Sequence, residues 1–175
     1  MSAINLILLD TNVYVDLYSG IREGHRDALR LVNLARTCDT SLLFSAPSAK
    51  DVYYLVAADL KRLSRAENGG VLTEQAAAAA NEMAWGCVSN MIEIATVVGC
   101  DQSDMWLAQR HKHVHHDFED DLVIAAALRS KADFIVTKDE RFARHSPVKA
   151  YSVADAIARL EAELDSATAP APAPA

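Results

Sequence analysis

Acidic residues in this sequence stand at the ends of apolar segments, where a carboxylate is costly unless something positive sits beside it. The run from Ile4 to Leu9 stops at Asp10-Thr11-Asn12, the stretch Asp117-Phe118-Glu119-Asp120-Asp121 opens an apolar helix, and Phe134-Ile135-Val136-Thr137 ends at Lys138-Asp139. With the two strands parallel and adjacent, their C-terminal ends and the start of that helix meet at one edge of one sheet. Open α/β folds bind ligands at such an edge. Two carboxylates about 4 Å apart repel by roughly 4 kcal/mol at an effective dielectric near 20. A cluster of this kind calls for a cation, a shared proton or both.

Each member also has a purely structural reading. Asp10 can cap the helix that follows it, a role open to Asn12 as well. Ser48-x-x-Asp51 reads as a capping box, the acidic side chain returning to the Ser48 backbone N–H. Asp117, Asp120 and Asp121 fall at i, i+3 and i+4 and share a helix face, yet the same positions suit the positive end of a helix dipole. Helical geometry leaves the choice between Asp120 and Asp121 open. Thr137, Lys138 and Asp139 are also ordinary residues for the end of a strand and a turn.

The elements that must position these groups follow from apolar periodicity. Helices are predicted from Asn12 to Tyr18, from His25 to Ala35, from Pro47-Ser48 onward with Val52, Leu55, Val56 and Leu60 as the apolar stripe, and from about Thr73. Asn68-Gly69-Gly70 separates the last two. Asp101 to His111, Asp117 to Ser130 and Val153 to Leu164 complete the helical set. Short strands are expected at Ser41 to Ser45, near Ile94 to Val98, at Phe134 to Thr137 and, as an edge, at Val148 to Val153. Such alternation implies an α/β fold with a mostly parallel central sheet flanked by helices and joined by right-handed crossovers. The chain is expected to form a single domain over residues 1–166, with 167–175 an extended, disordered Ala/Pro tail.

Composition narrows the function classes. With 51% hydrophobic residues in 175, a largely disordered chain is excluded, and no apolar run reaches the length of a membrane span. A cytoplasmic protein without membrane association is expected. Cys38, Cys87 and Cys100 lack the paired spacing of zinc or redox motifs and read as reduced, structural cysteines. The net charge of -7 argues against a broad basic surface, although it leaves a nucleic-acid substrate open. Arg22, Arg26 and Arg30 recur at four-residue spacing and are expected on one helix face, either solvated or facing a ligand. His111, His113, His115 and His116 match no standard zinc spacing and read as a polar loop. Tyr14, Tyr53, Tyr54, Trp85 and Trp106 are read mainly as packing or interface residues rather than base-stacking platforms.

Taken together, Leu8-Leu9-Asp10-Thr11-Asn12, an acidic residue in the helix after the second strand, Asp117-Phe118-Glu119-Asp120 before an Ala-rich helix, and Asp133 to Asp139 with Phe142 following resemble the PIN-domain family, including the VapC-type toxins of bacterial toxin-antitoxin pairs. The resemblance runs to about Leu164. It implies a metal-dependent endoribonuclease in which Asp10, Asp51, Asp120 and Asp139 match the family's acidic quartet, with Asp117 as a neighbour. Asp10, Asp120 and Asp139 are the implied metal ligands. Asp51 stands where Glu is common, so its shorter side chain leaves a gap that a water would bridge. Asp121 occupies a position that is often small and ranks below Asp120, and Thr137 is expected to position a water at the metal. Oxygen ligands of this kind suit Mg2+ or Mn2+, which retain waters and accept substrate phosphate. The resemblance further implies an RNA substrate, a cognate small antitoxin and a homodimer.

Other readings fit less of the sequence. A catalytically weak PIN-like module that binds protein or RNA is the alternative, given Asp51 and the acidic composition. A phosphatase of the haloacid dehalogenase type needs a second aspartate that Asp10-Thr11-Asn12 lacks. A phospho-receiver needs an acidic pair near the first strand, and that pair is absent.

Overall fold

In the computed structural model, which describes the backbone of residues 4–115 and 117–168, the chain runs β1 (Leu6–Leu9), α1 (Thr11–Tyr18), α2 (His25–Thr37), β2 (Ser41–Ser45), α3 (Ala46–Glu67), α4 (Glu74–Ile94), β3 (Thr96–Val98), α5 (Gln102–His115), α6 (Phe118–Ser130), β4 (Phe134–Val136), α7 (Glu140–His145), β5 (Ala150–Tyr151) and α8 (Val153–Thr168). The strands form one sheet in the order β3-β2-β1-β4-β5, with every pairing parallel. The expected α/β architecture is therefore the one the chain adopts. From β1 the chain steps outward through β2 to β3, then crosses to β4 on the other side of β1 and continues to β5. The direction of winding changes between β1 and β4, and a crevice opens at that point of a parallel sheet.

Side chains alternate across the strands, so each strand feeds two cores. Ile7, Leu9, Leu42, Phe44, Phe134 and Val136 face one side and pack with α1, α2, α3 and α8. Leu8, Leu43, Val98 and Ile135 face the other and pack against Val123, Ile124 and Ala127 of α6 and Phe142 of α7. Both faces are covered, which explains why the central strands read as unbroken apolar runs.

The helices deviate from the sequence expectation at several points, each with a local cause. Helix α3 begins at Ala46 with Pro47 in its first turn, where a fixed φ and a missing N–H cost nothing. Ser48 is consequently inside the helix, where its hydroxyl accepts a hydrogen bond from Thr11 Oγ1 at 3.0 Å, and Asp51 pairs with Lys50 at 3.1 Å. The capping box expected from Ser48 and Asp51 does not form. At the break after α3, Gly69 and Gly70 adopt φ of +62° and +91°, a backbone region that favours glycine.

Helix α4 extends to Ile94, leaving only Thr96–Val98 as strand, and β5 is confined to Ala150–Tyr151. Neither short strand has a long apolar run to define it. Helix α5 continues to His115, since no Gly or Pro interrupts it, and the histidine run expected in a loop is helical that far. The side chains of His113, His115 and His116 lie outside the described residues. Helix α7 was not anticipated. The three arginines do not all share a helix face: α2 starts at His25, so Arg26 and Arg30 lie one turn apart within it, Arg30 binding Glu161 of α8, whereas Arg22 precedes the helix and binds Asp16. The tail expected over 167–175 begins inside α8, which runs to Thr168, and its remainder lies outside the described residues. No described helix is long and apolar enough to cross a membrane.

Candidate active site

Strand register brings the first groups together. Leu9 pairs with Val136, so Asp10 and Thr137 are the next residues on adjacent parallel strands, and the Asp10 N–H donates to the Val136 carbonyl at 2.9 Å. Asp10 is 5% exposed. Its Oδ1 accepts the Thr11 N–H at 2.7 Å, which caps α1, and its Oδ2 accepts the Thr137 hydroxyl at 2.8 Å. The Thr137 oxygen in turn accepts the Asp139 N–H at 3.0 Å. One buried hydroxyl thus fixes the orientation of Asp10 and the path of the loop that carries Asp139.

Two more carboxylates arrive as caps. Asp139 Oδ1 accepts the N–H groups of Arg141 and Phe142 at 2.7 and 2.9 Å and starts α7. Asp117 Oδ1 accepts those of Glu119 and Asp120 at 2.9 and 3.4 Å and starts α6. Asp10, Asp117 and Asp139 are therefore N-caps of three helices whose positive ends converge at the C-terminal edge of β1 and β4. Capping and chemistry are compatible here, because each cap engages a single oxygen, Oδ1. The convergent N-termini stabilise negative charge.

That stabilisation falls short of what the cluster needs. Partial burial together with the charges of Asp117, Asp10, Asp139 and Glu119 pushes the Asp120 carboxyl up to about 7. Burial raises Asp10 as well, opposed by the hydrogen bonds from Thr137 and Thr11 and reinforced by the charge of Asp139. Glu119 is raised by desolvation and by Asp51, Asp10 and Asp117, against a hydrogen bond with Thr11. The groups that raise one another are all carboxylates, an arrangement that a cation would relieve. Among the described residues no three His, Cys, Asp or Glu side chains close into a tight metal-binding group. The fit to a divalent cation rests on the all-oxygen donor set and on the raised carboxyls.

Of the residues singled out from sequence, Asp10, Asp117, Asp120, Asp139 and Thr137 come together. Asp51 lies to one side, paired with Lys50 and linked to the cluster through its effect on Glu119. Asp120 is only partly buried and belongs to the cluster, whereas Asp121 is 1% exposed. Sequence reasoning overlooked Glu119, although it belongs to the same acidic helix start. Asn12, read there only as a possible cap, lowers the Asp10 carboxyl from its place in the first turn of α1.

All of these residues fall inside the segment 6–141, which matches the sequence profile of the PIN-domain family. The chain is a PIN domain. A search of curated proteins gave no match. Among solved structures, this PIN domain is similar to VapC20 of Mycobacterium tuberculosis, a sarcin-ricin loop cleaving toxin, with a TM-score of 0.58 and 13% identity over 79% of this chain and 93% of that one. It is similar to VapBC2 from Rickettsia felis, solved with a DNA fragment from its promoter, with a TM-score of 0.56 and 13% identity over 84% of this chain and 98% of that one. FitAcB from Neisseria gonorrhoeae gives a TM-score of 0.55 and 14% identity, over 84% and 97%. At these identities the likeness is one of fold.

Proposed function

We propose that this PIN domain is a metal-dependent endoribonuclease and the toxin of a toxin-antitoxin pair. The observation that carries the reading is the meeting of Asp10, Asp117, Asp120 and Asp139 at one sheet edge, with the Asp120 carboxyl pushed up to about 7 by burial and by the charges of its neighbours. Asp10, Asp120 and Asp139 would hold Mg2+ or Mn2+, with Asp117 beside them and Asp51 at the margin. A bound ion would offset the carboxylate charge, lower the pKa of a water and stabilise negative charge that develops on a phosphate. Thr137 is a positioning residue: its proton goes to Asp10 and its oxygen holds the Asp139 loop. Asp120, with its carboxyl pushed up to about 7, is the group whose charge would respond most to the ion.

The substrate proposed is unpaired or loop RNA, since an edge of this kind reaches a splayed backbone more readily than the interior of a regular A-form helix. The loop-cleaving activity of VapC20 supports that choice. A small antitoxin and a second copy of the chain are the proposed partners, in the cytoplasm. A second reading, a catalytically weak binding module, is favoured by the Lys50–Asp51 ion pair, which occupies one carboxylate of the expected quartet.

Incubation of a structured RNA pool with and without EDTA, followed by mapping of the product ends, tests the reading. Cleavage is expected only with Mg2+ or Mn2+, leaving 5′-phosphate and 3′-hydroxyl ends, and falling about a hundredfold or more in Asp10→Asn and Asp120→Asn. Expression of the wild-type chain alone should slow bacterial growth, while the Asp120→Asn chain should not. EDTA-resistant cleavage, or ends carrying a 2′,3′-cyclic phosphate, contradicts the mechanism. Intact RNA under every condition favours the binding module.

A further inference from the structure

Beside the acidic cluster lies a second group built to the opposite charge. The side chain of Asp16, in α1, is 2% exposed and holds two cations at once: Arg22 Nε at 2.5 Å on Oδ1 and Lys138 Nζ at 2.5 Å on Oδ2. Those cations are 35% and 42% exposed, so each turns one donor inward and keeps others toward solvent. Packing around Asp16 is too close for these to be freely solvated side chains. A Cβ on Gly24 would lie 1.9 Å from Asp16 Oδ2 and 3.2 Å from Lys138 Nζ, and His25 Nδ1 is 3.0 Å from the Asp16 carbonyl oxygen. Arg22 Nη1 also lies 3.8 Å from Asp59, which is shared with Arg62 and Ser19. Arg22 thus bridges Asp16 and Asp59, and Lys138 completes the pairing of Asp16.

Arg22 and Lys138 line a cleft of about 290 Å³ together with Asn12 and Asp139. Asn12 stands two residues after Asp10 and lowers its carboxyl, and Asp139 adds to the charge felt by Asp10 and Asp120, so the cleft is continuous with the carboxylate cluster. A planar guanidinium and a compact ammonium side by side are the donors that recognise phosphate oxygens. Asp139 in the same cleft repels a lone anion. The ligand that satisfies both ends is a strand carrying phosphates at successive positions, one at the acidic cluster and the next at the cations.

We infer that Arg22 and Lys138, anchored by Asp16, form a clamp for the backbone phosphate adjacent to the one at the acidic cluster, and so set the register of a bound RNA strand. The inference rests on the nuclease reading for the choice of RNA. It is tested by binding rather than turnover. The dissociation constant of a short, unstructured, fluorescein-labelled RNA is measured by anisotropy over a range of KCl, in the Asp120→Asn background. Lys138→Gln and Arg22→Gln should each weaken binding about fivefold to tenfold and lower the slope of log affinity against log salt by about 0.7, the loss expected for one phosphate contact on a single strand. Lys138→Arg should restore the slope, and Lys149→Gln, at the opposite edge of the sheet, should leave it unchanged. Mg2+-dependent cleavage of RNA by the wild type, combined with unaltered slopes in Lys138→Gln and Arg22→Gln, overturns the clamp and leaves the nuclease reading standing. Altered slopes without wild-type cleavage support the clamp and reject the nuclease. Absence of any RNA binding rejects both.

Discussion

Asp10 and Asp16 belong to the same short helix, one as its N-cap and one in its last turn, and the fold treats them in opposite ways. Both are buried, at 5% and 1% exposure. Asp16 stands at the negative end of the helix dipole, where a carboxylate is disfavoured, and two cations offset it. Asp10 stands at the positive end and receives hydrogen bonds from Thr11 and Thr137, but its charged neighbours are other carboxylates. A structural carboxylate is paired within the chain. In the proposed reading the group at Asp10 is neutralised from outside the chain, and burial together with the neighbouring carboxylates raises the Asp120 carboxyl.

The comparison makes opposite predictions for the two regions. Asp16→Ala removes the anchor of Arg22 and Lys138, which are themselves partly exposed, and should lower the stability of the metal-free protein by about 2 kcal/mol, read as a fall in the urea midpoint. Gly24→Ala pushes a methyl group into the same anchor and should cost about 2 kcal/mol. Loss of much less than that in both variants would mean that the Asp16 pairing is no more than a surface feature.

Asp120→Asn should act in the other direction, raising metal-free stability at pH 7 by about 1–2 kcal/mol after allowance for solvent screening. The sign follows from linkage. The folded-state carboxyl, at about 7, lies above its ordinary value of 3.8, so between those values the native chain holds a proton that the unfolded chain has released. The associated stability is fully present below about pH 4 and is lost as pH rises to about 7. Thermal melts in EDTA from pH 4 to 8 should show this decline in the wild type and a weaker one in Asp120→Asn. A melt in which Asp120→Asn is less stable than the wild type at pH 7 would break the contrast.

How much of this was legible in sequence depends on how local the determinant is. Leu8-Leu9-Asp10 and Phe134 to Asp139 declared strands ending in carboxylates, and parallel pairing of those strands was enough to place Asp10 beside Thr137. The acidic start of α6 was equally plain, but burial, which separates Asp120 from Asp121, is a tertiary property. The capping box read from Ser48 and Asp51 failed because the helix starts at Ala46, turning Ser48 from the expected cap into an interior residue. Asp16 drew no notice, since one acidic residue in a helix resembles an ordinary polar position. Its meaning comes from Arg22 on the following loop and from Lys138, more than a hundred residues away. The sequence motif exposed the acidic half of the edge, whereas only the fold revealed the basic half.

Isothermal titration calorimetry with Mn2+ at pH 7, in two buffers of different ionisation enthalpy, tests the central claim most directly. A carboxyl pushed up to about 7 is partly protonated at that pH, so filling the site should release protons. The release should fall in Asp120→Asn, and affinity should drop steeply there and in Asp10→Asn. Binding with no proton release, or binding unchanged by either substitution, would contradict the assignment of this edge as the metal site.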